Sequence, residues 1–97
     1  MDILYRLQGV EFEWDDEKAQ SNLQKHGVTF EAAAEVFFDP FYQTGDATVD
    51  DEDRDFIIGY TFAQRLLLAV YTDRTERTRL ISARSATRTE RKLYEAA

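Results

Sequence analysis

Three strand-length runs joined by two short connections constrain this chain more than any other feature. Asp55 to Thr61 (DFIIGYT), Leu66 to Thr72 (LLLAVYT) and Arg77 to Ala83 (RTRLISA) are each rich in β-branched, leucine or aromatic residues. Phe62 to Arg65 and Asp73 to Glu76 have the length of hairpin connections, so the economical topology is an antiparallel meander. In LLLAVYT both alternating sets are apolar: Leu66, Leu68 and Val70 on one side, Leu67, Ala69 and Tyr71 on the other. A strand covered on both faces belongs in the middle of its sheet.

The N-terminal half adds helices. Val10, Phe12 and Trp14 alternate with Glu11 and Glu13, the period-2 pattern of a half-buried strand. Asp15 is a good N-cap, and Asp16 and Glu17 favour the positive end of a helix, so the spacing predicts a helix from Asp16 to His26 that Gly27 stops. Ala19, Leu23 and His26 share one of its faces. Thr29 caps a second helix through Phe30, Ala33, Ala34 and Phe37, ended by Asp39 and Pro40. Phe41 to Thr44 is β-prone, and the acidic run from Gly45 to Asp53 reads as a solvated loop. At the other end, Thr87 and Glu90 form a capping-box pair that opens a third helix, roughly Arg88 to Ala96. The expectation is a single α+β domain over residues 1–97, with two N-terminal helices, a mainly antiparallel sheet and a C-terminal helix.

Composition narrows the chemistry. The 97 residues contain no cysteine and one histidine, which excludes disulfides, thiolate nucleophiles and a protein-only zinc site, so neither a metal nor a cofactor is expected. No calcium loop, phosphate-binding glycine loop, nucleophile elbow or HExxH motif occurs. No run approaches a membrane helix, and MDILYRLQG lacks a signal peptide's basic start and apolar stretch, so the cytoplasm is the expected compartment. Net charge is −7, which disfavours general binding to a polyanion. The charge is uneven, however. Residues 1 to 53 carry 3 Lys+Arg against 14 Asp+Glu, whereas residues 54 to 97 carry 9 against 5.

The basic residues concentrate in the last strand and the helix after it: Arg77, Arg79, Arg84, Arg88 and Arg91. Guanidinium forks bind phosphate in bidentate fashion, so two or three converging on one spot would hold a nucleic-acid phosphate and its transition state. The same arginines also read as partners of the acidic half or as a solvated edge. Strand alternation puts Arg77 and Arg79 on one face with Ile81, and Leu80, Ser82 and Arg84 on the other, unless the strand bulges. His26 has the intrinsic pKa of a general acid or base, but at a helix C-terminus it is equally a ligand for the last carbonyls. Lys25 is either a dipole partner or a phosphate contact. Glu90 reads as general base or as capping residue, and Tyr94 as proton donor, stacking ring or core anchor.

In order along the chain, FEWDDEKAQSNLQKHGVTFEAAAEVFFDP, FIIGYT, RLLLAVYT and RTRLISARSATRTERKLYE closely resemble the BrnT family of toxins of bacterial type II toxin–antitoxin pairs. The resemblance spans Phe12 to Glu95. It is carried by Trp14 and Asp15, the KHGV turn (Lys25 to Val28), and the ISAR stretch with Glu90 and Tyr94 downstream. It implies a RelE-like ribonuclease fold, an RNA-cleaving toxin, and neutralisation by a BrnA-type antitoxin in a hetero-oligomer that reaches DNA only through the antitoxin. Carried over by position, the catalytic candidates are Arg84, Glu90, His26 and Tyr94; Lys25, Arg77, Arg79 and Arg88 are the candidates for holding substrate. The reaction this implies is metal-independent attack of a ribose 2′-OH on the adjacent phosphate. The alternative is a non-catalytic interaction module whose arginines dock an antitoxin or regulatory partner.

Overall fold

The computed structural model describes residues 1–96. It begins with a hairpin that the sequence reading had not assigned: β1 (Asp2–Leu7) pairs antiparallel with β2 (Val10–Asp15). Its turn is Gln8 and Gly9 at φ 50° and 82°, the left-handed pair that a tight two-residue turn needs. The signal was there, since Ile3, Tyr5 and Leu7 alternate with Asp2, Leu4 and Arg6 ahead of that turn.

Helix α1 (Asp16–His26) follows β2 directly. Asp15 caps it by accepting from the Lys18 amide at 3.0 Å, and Gly27, at φ 66°, closes it by donating to the Leu23 carbonyl. Helix α2 (Phe30–Glu35) is shorter than the expected second helix because Val36–Phe38 tighten into a 3₁₀ turn. That turn packs against Gly59, where a Cβ would meet the Val36 carbonyl oxygen at 2.9 Å. Only glycine lets strand and turn approach this closely.

The remaining elements are β3 (Gln43–Asp46), β4 (Asp55–Tyr60), β5 (Leu66–Asp73), β6 (Thr78–Ser85) and α3 (Arg88–Glu95). The β-prone stretch after Pro40 pairs two residues later than expected, so Gly45 and Asp46 belong to β3 rather than to the acidic loop. The sheet order is β1-β2-β6-β5-β4-β3. The meander β4-β5-β6 is antiparallel and β5 lies inside the sheet, as its two apolar faces required. The sheet is nonetheless mixed, because β2 runs parallel to β6 through Phe12–Thr78 and Glu13–Arg79. Local patterns carry no information on that long-range pairing.

Leu67, Ala69 and Tyr71 join Phe12, Trp14, Phe30, Ala33, Val36, Leu80 and Ala83 in the core beneath α1 and α2. Leu66 and Leu68 face the opposite side, where Ile58, Tyr60 and Tyr94 form a smaller cluster under α3. Complete burial of a Phe or Leu side chain contributes about 1.5–3 kcal/mol, so the larger cluster dominates stability. Among the described residues, no helix is long and apolar enough to cross a membrane.

A bulge in β6 decides where its side chains point. Val70 pairs with Ser82, but Tyr71 pairs with Leu80, leaving Ile81 without a partner. Leu80 and Ala83 are therefore both buried in the main core although they are three residues apart. Simple alternation would have set Arg79 and Arg84 on opposite faces. The bulge puts them on the same one, opposite Thr72 and Leu68 of β5.

Candidate active site

Because β2 ends at Asp15, the second half of β6 has no strand on that edge, and α1 lies beside it instead. Asn22, 7% exposed, stands in for the missing strand. Its Oδ1 accepts from the Ala83 amide at 3.0 Å, and its Nδ2 donates to the Ala83 carbonyl at 2.8 Å and to the Val28 carbonyl at 3.0 Å. Leu23, which shares a face with Ala19 and His26, is 48% exposed, so the apolar residue of this turn is not the buried one. A side-chain amide presents a carbonyl and an N–H side by side, as a peptide group does, which suits an asparagine to this buried position beside a strand edge.

This clamp brings the Lys25–His26 turn against β6. Lys25, His26, Asn22, Ile81 and Ser82 line a small depression of about 210 Å³. Ser82 is two residues from Arg84, about 7 Å along the strand. Arg65 ties the same region together by donating to the Gly27 carbonyl at 3.1 Å and to Ser85 Oγ at 2.8 Å. It had not been singled out in the sequence, since nothing local marks a turn arginine as a bridge between distant segments.

Arg84 and Glu90 form a bidentate pair, Nη1–Oε1 at 2.7 Å and Nη2–Oε2 at 2.8 Å. Glu90 also completes the capping box, accepting from the Thr87 amide at 2.9 Å while Thr87 Oγ1 accepts from the Glu90 amide. The Arg84 hydrogen bonds hold the Glu90 carboxyl below its ordinary pKa and raise that of Arg84. Arg88 is exposed at the first position of α3 beyond this pair.

One turn after Glu90, Tyr94 donates its hydroxyl to Asp39 Oδ2 at 2.7 Å. Asp39 also accepts from the amides of Tyr60 and Phe41, each at 2.8 Å. Burial and this hydrogen bond push the Tyr94 pKa up to about 12. Burial raises the Asp39 pKa, but its three hydrogen bonds outweigh that effect and leave it below the ordinary value.

Both carboxyls thus bind protons less readily folded than unfolded. Their stabilisation is complete above the ordinary carboxylate range and is lost as the pH falls through the lowered folded values. Thermal melts at pH 7 and at about pH 3 should show a drop in Tm that is smaller for Asp39→Asn than for the unaltered chain. Equal acid sensitivity in the two proteins would refute the role given to Asp39.

Arg77 and Arg79 stand apart from this region. Five residues of strand separate Arg79 from Arg84, about 15 Å. Arg79 pairs with Asp2 at 3.1 Å through both Nη atoms and with Glu13 at 3.4 Å, and Arg77 lies 3.3 Å from Glu11. The expected convergence of two or three arginines does not include these: Arg84 pairs with Glu90, while Arg77 and Arg79 join β6 to the N-terminal hairpin. Among the described residues, no group of three His, Asp or Glu side chains is arranged to hold a metal ion.

No curated protein sequence matches the chain. A family model described as "Ribonuclease toxin, BrnT, of type II toxin-antitoxin system" matches residues 14–90, from Trp14 to Glu90. Among solved structures, the chain is similar to the Brucella abortus ribonuclease toxin BrnT, with a TM-score of 0.61 and 23% identity, covering 77% of this chain and 94% of that one. At that identity the likeness concerns the fold, here an α+β unit with a six-stranded mixed sheet.

The class is therefore that of toxins from type II toxin–antitoxin systems, for which an antitoxin is the implied partner. The chain belongs to the BrnT family of ribonuclease toxins.

Proposed function

We propose that this chain is one RelE-like toxin domain that cleaves RNA in the cytoplasm without a metal, at the distal half of β6. A BrnA-type antitoxin neutralises it in a hetero-oligomer and supplies the contact with DNA. The observation that carries this reading is the Asn22 clamp, which holds the Lys25–His26 turn beside the residues leading into Arg84 and Glu90.

In the proposed reaction the exposed His26 imidazole takes the proton of a ribose 2′-OH, and that oxygen attacks the neighbouring phosphorus. Arg84, with Lys25 and Arg88, carries the added negative charge of the phosphorane. The bond to the 5′-oxygen breaks, and Tyr94, turning its hydroxyl from Asp39, protonates the departing oxygen. The products are a 2′,3′-cyclic phosphate and a 5′-hydroxyl. Glu90 is already committed to Arg84 and Thr87 and has lowered basicity, so its role is to aim the guanidinium.

One observation favours the rival reading of a non-catalytic interaction module: Arg77, Arg79 and Arg84 are each already paired with a carboxylate. Incubating the purified protein with RNA in excess EDTA separates the two. Cleavage that leaves cyclic-phosphate ends, spares DNA and stops when antitoxin is added supports the nuclease. Tight antitoxin binding with intact RNA supports the module.

A further inference from the structure

Two phenylalanines remain on the surface at the mouth of one cleft. Phe41 is 71% exposed and Phe62 is 53% exposed. Together with Tyr60, Tyr94, Asp39 and Gln64 they line a cavity of about 320 Å³ between the 3₁₀ turn, the β4–β5 connection and α3. An exposed phenyl ring forgoes the gain of burial, and two bordering one concavity mark a recognition surface rather than scattered surface hydrophobicity.

The exposure does not come from loose chain. The Phe41 amide is fixed by Asp39 Oδ1 at 2.8 Å and the Phe62 amide by Glu35 Oε1 at 3.0 Å. Gln64, at φ 65°, donates its amide to the Thr61 carbonyl, and Thr61 Oγ1 accepts from the Arg65 amide. The rings are therefore presented on backbone that is already ordered, so little ordering cost remains for binding.

The surroundings identify the occupant. Arg91 donates to the hydroxyl of Tyr60, a residue of the cleft, at 3.1 Å, which sets a guanidinium beside it, and Arg88 and Lys92 are exposed on the same helix. Tyr60 and Tyr94 meet edge to face with centroids 5.4 Å apart. Flat apolar faces, adjacent positive charge, and a carboxylate and an amide at the rim suit a planar heterocycle attached to an anion. A purely apolar peptide would use the rings but not the arginines.

We propose that this cleft is a nucleobase subsite, where an unpaired base near the scissile linkage stacks on the Phe41 and Phe62 faces while its phosphate meets Arg91. The proposal rests on the reading of this chain as an RNA-cleaving toxin and extends it to how a single-stranded segment is selected.

The test uses a short 2′-O-methyl oligoribonucleotide, which lacks the attacking hydroxyl, and a same-length abasic strand. Binding is measured by fluorescence anisotropy to the unaltered protein and to Phe41→Ala, Phe62→Ala and the double variant, whose exposed positions leave folding intact. The double variant should lose roughly 5- to 100-fold in affinity for the base-containing strand. Both proteins should bind the abasic strand equally weakly. Unchanged affinity in the double variant, or failure of the unaltered protein to prefer bases, overturns the proposal. Loss of antitoxin binding with RNA binding intact overturns it too, assigning the cleft to the antitoxin. Cleavage in EDTA is scored separately: base-dependent binding without cleavage would retain the subsite and remove the nuclease, and cleavage with indifferent phenylalanines would do the reverse.

Discussion

Replacing Arg84 by alanine is expected to lower RNA cleavage by about 10²-fold or more while the protein stays folded, the usual cost of losing one donor to a transition-state oxyanion. The side chain is 39% exposed even while paired with Glu90, so a phosphate can reach its outer edge without breaking the pair. Folding should survive because α3 keeps its Thr87 cap and the Tyr94–Asp39 bond. Arg84→Lys retains the charge but not the fork, and should recover only part of the rate. The informative companion is Glu90→Gln, which leaves the guanidinium in place and weakens only its aim. Rates should fall less there than in Arg84→Ala. A wild-type rate in Arg84→Ala would remove the proposed site. Equal losses in the two variants, with matching falls in melting temperature, would reduce the pair to a brace for α3.

The second large effect is expected at Asn22. Alanine there strands three buried backbone groups at once: the Ala83 amide, the Ala83 carbonyl and the Val28 carbonyl. Each unsatisfied group costs about 1–3 kcal/mol, and partial access of water to the opened edge relieves some of it, so a net loss of about 3 kcal/mol is expected. For a domain of this size that corresponds to a Tm lower by about 12–24 °C. Asn22→Asp tests the cause, because a carboxylate still accepts from the Ala83 amide but donates to neither carbonyl. It should be comparably destabilised despite its near-identical shape. Urea and thermal denaturation read both variants, and a Tm for Asn22→Ala within about 2 °C of the parent would show that the clamp contributes little.

The contrast between Asn22 and Leu23 shows how far the sequence was legible. Elements with local signals were recovered: the Asp15 cap and Gly27 stop of α1, the Thr87–Glu90 box of α3, and the two-sided apolar pattern that makes β5 central. What escaped was information stored across the chain. The parallel β2–β6 pairing joins residues more than sixty positions apart, and a polar residue buried to complete a distant strand looks, in sequence, like any solvated asparagine. The arginines failed differently. Their abundance suggested convergence, but Asp2, Glu11 and Glu13 of the N-terminal hairpin neutralise Arg77 and Arg79 away from Arg84. Of the candidate residues, Lys25 and His26 line one depression with Ser82, Arg84 and Glu90 form a pair at the start of α3 where Arg88 is exposed, and Tyr94 lines a separate cleft.

The unpaired Ile81 has a consequence for how this chain can change. It acts as a half-step phase shift in β6: upstream and downstream of it, opposite parities serve the interior. Removing that one residue would straighten the ladder and keep Ala83 opposite Ala69 and Arg84 opposite Leu68, whereas keeping it and flattening the bulge would turn Arg84 toward the helices and Ala83 away from them. The constraint at this point is therefore on the bulge rather than on length: a shorter, regular strand would present the same groups, and a strand of this length must stay kinked to do so.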